Sequence, residues 1–105
     1  MTDEATPPKP SPEEERARAL ELLRAAHKFP VQYEVSVITF SSPEIVLAVR
    51  MAAGLPLDAD EHHQIVPSSA GKYTSHRIKV PCESAEQVLD LYARLRAING
   101  VVTLL

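Results

Sequence analysis

The chain has 105 residues, 45% of them apolar and 24% charged, with a formal net charge of −3 and a single cysteine. That length makes one small domain. The acidic balance gives no general pull toward nucleic acid or an anionic membrane, and Cys82 alone excludes an intrachain disulfide. No apolar run approaches the roughly 20 residues that span a bilayer, and the acidic, proline-bearing start does not suit a signal peptide. The sequence therefore points to a cytoplasmic protein without membrane contact.

Residues 1–10 carry three prolines and no apolar period, and are expected to be a disordered tail. A helix is predicted over 11–28, with Ser11 as N-cap, Pro12 at the first helical position and Glu14 closing a capping box. Glu21 would pair with Arg24 on its surface. Its apolar stripe, Ala19, Leu22, Leu23 and Ala26, is thin and fits peripheral docking on the domain or on another subunit. The compact domain is predicted to run from 29 to 105. Residues 32–40 alternate as a strand, with Tyr33, Val35 and Val37 on one face and Gln32, Glu34 and Ser36 on the other. Ser42-Pro43 opens a helix with the inner stripe Ile45, Ala48, Val49 and Ala52, closed by Gly54. A second strand over 61–67, a Ser/Gly turn and a third strand over 73–80 make a hairpin. Ser84 begins a last helix with Val88, Leu91, Tyr92, Leu95 and Ile98 at helical spacing. Asn99-Gly100 stops it, and 101–105 is the final strand. The order β-α-β-β-α-β predicts an α+β, ferredoxin-like sandwich: a four-stranded antiparallel sheet with two helices on one face, plus the extra N-terminal helix.

The chemistry-bearing residues are few. His62 and His63 are neighbours on a predicted strand, so they point to opposite faces and do not share a metal; both are read as solvent-facing. His76 shares a face with Thr74, Ile78 and Val80 and is read as a hydrogen-bonded side chain at the core edge. No set of four convergent ligands is visible, so no metal or other cofactor is expected. The candidate ligand site is the hairpin: Ser68, Ser69, Gly71, Lys72, Tyr73 and Ser75, a turn that could aim N–H groups at an anion beside a lysine. The phosphate-loop pattern Gly-x-x-x-x-Gly-Lys-Ser/Thr is absent, which favours a plain turn role. Tyr73, Ser75, Arg77 and Lys79 line the helix-free face of the third strand, yet Tyr73 is the lone aromatic on that segment, short of what stacking on RNA bases needs. No catalytic constellation is present, and no enzyme activity is expected.

The segment Pro67-Ser68-Ser69-Ala70-Gly71-Lys72-Tyr73-Thr74-Ser75, with Glu86-Gln87-Val88, Leu91-Tyr92, Leu95 and Phe29-Pro30, resembles the small bacterial YbeD-like family of uncharacterised proteins. The resemblance covers about 29–105 and implies a domain similar to ACT-type regulatory domains, which bind small effectors at subunit contacts. Glu44 after Pro43 departs from the glycine usual in such domains, and the loop Ser41-Ser42-Pro43 lacks the arginine that acylphosphatases of this fold require. The reading is therefore a regulatory or adaptor protein working by protein–protein contact with an unidentified partner. It would self-associate as a homodimer through an open face bearing Ile38, Phe40, Val102 and Leu104. The alternatives are a sensor binding an anionic metabolite or amino acid at the hairpin and, third, an RNA-binding module.

Overall fold

In the computed structural model, residues 9–58 and 60–105 are described. Helix α1 (Pro12–Ala26) leads into strand β1 (Val31–Phe40), helix α2 (Pro43–Ala52), a 3₁₀ turn (Asp60–His62), strands β2 (His63–Pro67) and β3 (Tyr73–Cys82), helix α3 (Ala85–Arg96) and strand β4 (Val101–Leu104). The four strands form one antiparallel sheet in the order β2-β3-β1-β4. This is the ferredoxin-like arrangement expected from the element order, with α1 added. Most of the tail expected at 1–10 lies outside the described residues.

The helix starts follow from their caps. Ser11 Oγ accepts the Glu14 N–H at 3.2 Å while the Glu14 carboxylate accepts the Ser11 N–H at 3.1 Å, the reciprocal box read from the sequence. At α3 the box is displaced by one residue. Ser84 Oγ accepts the Gln87 N–H, but the Gln87 side chain accepts from Glu83 N–H, not from Ser84. The Ser42 side chain makes no bond to the α2 backbone; its hydroxyl donates to Glu44.

The core lies between the sheet and the two helices α2 and α3. Val35 and Val37 from β1, Ile78 and Val80 from β3, Val49 from α2, and Val88, Leu91 and Leu95 from α3 are all buried. Gly100, at φ 104°, turns the chain from α3 into β4, and a Cβ there would lie 2.6 Å from Ile45 Cδ1. α1 buries no residue; Leu23 touches the core, and Arg24 pairs with Glu86 on α3 instead of with Glu21.

Three sequence expectations are corrected. The second strand begins at His63, because 60–62 close a 3₁₀ turn first. The third strand continues through Pro81, which pairs with Gln32, to Cys82. Leu104 is opposite Val37, on the helix-covered side, and packs on the core rather than the open face. The register shift between Ile38 and Thr39 carries β4 past Val102 without a partner.

Candidate functional site

The helix-free face of the sheet follows from strand parity. On β1 it carries Glu34, Ser36, Ile38 and Phe40; opposite them on β3 stand Lys79, Arg77, Ser75 and Tyr73. β2 adds Gln64 across from Arg77 and Val66 across from Ser75. One half is thus charged and the other apolar. In the apolar half, Phe40 and Tyr73 stack with ring centroids 5.5 Å apart and planes 30° from parallel. Phe40 stays 48% exposed and Val66 47%, too much apolar surface in one place for a scattered pair of surface side chains. A shallow hollow of about 370 Å³ opens between Ile38, Val66, Pro67, Tyr73 and Ser75.

The six hairpin residues lie at this same end of the sheet, but the polar groups of Ser68, Gly71 and Tyr73 close the turn. Ser68 N–H donates to the Tyr73 carbonyl at 2.8 Å, Ser68 Oγ accepts the Tyr73 N–H at 3.2 Å, and Gly71 N–H donates to the Ser68 carbonyl at 2.9 Å. Gly71 sits at φ 75° with open space where a Cβ would be. Glycine is therefore required there by backbone conformation and not by the approach of a ligand. The Lys72 ammonium lies 5.4 Å from the centre of the Tyr73 ring. Ser69 is exposed at the tip and Ser75 faces the hollow.

A second constellation, absent from the sequence reading as such, runs through the core. Arg50 on α2 is 7% exposed, His63 on β2 4%, His76 on β3 1% and Thr39 on β1 0%. His63 is therefore not solvent-facing. Arg50 Nε–H donates to His63 Nδ1 at 2.9 Å, His63 Nε2 lies 2.8 Å from His76 Nδ1, and His76 Nε2 lies 3.0 Å from Thr39 Oγ1. Thr39 Oγ1 in turn donates to the Phe40 carbonyl at 2.8 Å. A guanidinium can only donate, and this fixes every later link. His63 must accept at Nδ1 and so carries its proton on Nε2; His76 must then accept at Nδ1 and donate from Nε2. Both rings are neutral, and every polar atom in the row has its partner. Burial, the neighbouring His76 and the Arg50 charge push the His63 pKa down to about 4. Burial lowers His76 as well. The outer end of Arg50 donates to the Leu57 carbonyl and, at 2.9 Å, to Asp60, whose side chain is 87% exposed.

The sequence did hold a signal for this row. Arg50 stands at helical spacing between Val46 and Ala53, and His63 has the strand parity of Ile65, so each sits where an apolar residue is expected. Among the described residues, no three His, Cys, Asp or Glu side chains converge as metal ligands. Nor is any helix among them long and apolar enough to cross a membrane.

The model of a family described as a protein of unknown function, DUF493, matches residues 24–105. The chain belongs to this family. DUF493 membership agrees with the YbeD-like resemblance carried by the hairpin motif. A relative, a UPF0250 protein of Buchnera aphidicola subsp. Schizaphis graminum (strain Sg), is 29% identical over 79 residues, covering 75% of this chain and 91% of the relative. No solved structure gives a significant match. The DUF493 match begins at residue 24, so most of α1 precedes the family's domain.

Proposed function

We propose that this DUF493 protein is a non-enzymatic, ACT-like regulatory or adaptor domain that works by protein–protein contact, and that its first partner is a second copy of itself. The observation that carries this reading is the apolar half of the helix-free face, where the Phe40–Tyr73 stack, Ile38 and Val66 remain open beside the hollow. The other half, with Glu34 next to Arg77 and Lys79, holds both signs of charge. A two-fold axis lying in the interface, parallel to the strands and between β1 and β3, can then set acid against base while the apolar halves meet.

Light scattering at micromolar concentration is expected to give a dimer. Phe40→Glu is expected to yield a monomer with unchanged circular dichroism, because Phe40 lies outside the core. A wild-type chain that scatters only as monomer contradicts the reading. The sensor alternative has less support, since Ser68 and Gly71 use their polar groups to close the hairpin. RNA binding is weaker still, because the two aromatics of the face cover each other instead of offering two stacking positions.

A further inference from the structure

The buried row makes an unusual demand on β2. This strand has one neighbour, β3, and of its five residues only His63 is buried; Gln64, Ile65, Val66 and Pro67 are all exposed. Its side-chain anchorage in the core is therefore His63 alone, held by Arg50 from α2 and His76 from β3. The remaining hold is the backbone ladder along β3.

The row accepts no extra proton. A proton added to His63 Nδ1 would face Arg50 Nε–H across 2.9 Å, and one added to His76 Nδ1 would face the His63 Nε2–H across 2.8 Å. Either way two donors confront each other in a site closed to water. Of the groups around the pair, only Asp60 favours the added proton, and its pull is outweighed. α2 presents the Arg50 cation, β1 the Thr39 hydroxyl, and α3 brings to the core the apolar Val88, Leu91 and Leu95. The Asp60 carboxylate, on the 3₁₀ turn, binds the far side of the guanidinium. Protonation must break a link, and each link to His63 ties β2 to the rest of the fold.

We propose that the Arg50–His63–His76–Thr39 row is an acid-released latch on edge strand β2. It docks β2 and the 3₁₀ turn while both imidazoles are neutral and frees them when one takes up a proton. The lowered affinity of His63 for protons sets the range of release well below neutrality. Freeing β2 leaves the sheet as β3-β1-β4, with its core and helices in place, and turns β3 into an edge.

Amide hydrogen exchange on the full chain tests this. Between pH 7.5 and 4.5, protection factors for the β2 amides, and for the β3 amides bonded to β2, are expected to fall at least tenfold. Those of the β1–β3 pairing should hold. Imidazole ¹⁵N shifts at pH 7.5 are expected to show both rings as neutral Nε2–H tautomers. In the double variant His63→Gln, His76→Gln, each amide can accept and donate in the same direction without titrating, so β2 protection should lose its pH dependence. Three results would overturn the latch: an Nδ1–H tautomer on either ring, β2 protection that stays level to pH 4.5, or loss of protection across β1 and β3 at the same pH. The ¹⁵N readout needs no variant, so it decides even if the double substitution fails to fold.

Discussion

At the scale of single residues, the most consequential side chain is Arg50, which sets the direction of every hydrogen bond in the core row. Arg50→Met preserves much of the stem's packing but leaves His63 Nδ1 and the Leu57 carbonyl without a donor. Leu57 is exposed, so its carbonyl can turn to water. With roughly 1–3 kcal/mol for the one buried group left unsatisfied, a loss of about 1–3 kcal/mol is expected in urea unfolding. A loss under about 0.5 kcal/mol would mean the row does not close as described. Arg50 and His63 also mark the limit of the sequence reading. A charged residue on a helix stripe and a histidine in a polar dipeptide each look like surface when taken singly. Local period marks each of the two positions as inward, but their meeting across α2 and β2 is a long-range pairing that no local period encodes. Ser68 and Gly71 show the opposite case. Their turn chemistry is local, and it was legible as such.

Among the elements, boundaries set by local chemistry were readable and those set by pairing were not. Ser11, Pro12 and Glu14 announce α1, and the structure closes the same two hydrogen bonds. Pro81 reads as a strand end, because proline lacks a ladder donor. Yet the pairing of Gln32 with Pro81 and Val31 with Cys82 carries β3 two residues past its expected end at 80. Leu104 was put on the wrong side because alternation was counted without the shift at Ile38/Thr39, which lets Val101 and Leu104 both pack inward. The junction of α3 with β4 gives a test at this scale. Gly100→Ala forces a left-handed φ of 104° on a residue with a Cβ and drives that carbon to 2.6 Å from Ile45 Cδ1. A destabilisation of about 1–3 kcal/mol is expected from the two effects together, measured by thermal or urea unfolding.

For the whole molecule, the fold class was legible because four strands and two helices in this order admit few right-handed connections. The apolar patch on the open face was legible only in outline, since Phe40 meets Tyr73 through register and not through sequence proximity. Stability should depend on pH in a defined direction. The folded pKa of His63, about 4, lies below its ordinary value of 6.5. The contribution of its neutral form is thus complete above pH 6.5 and drains away as the pH falls toward 4. From pH 7 to pH 5 this amounts to roughly 2 kcal/mol. Urea titrations at the two pH values should show the drop; a chain that is more stable at pH 5 would contradict the neutral pair. The shift at Ile38/Thr39 has a further consequence. Sheets that joined rim to rim would lengthen into filaments without limit, but one outer strand here is only four residues long and bent by its extra residue, and the other ends in Pro67, which has no N–H to offer. Growth by strand addition is blunted on both flanks, so the self-association proposed above would run across the flat of the sheet, a route that closes on itself after two copies.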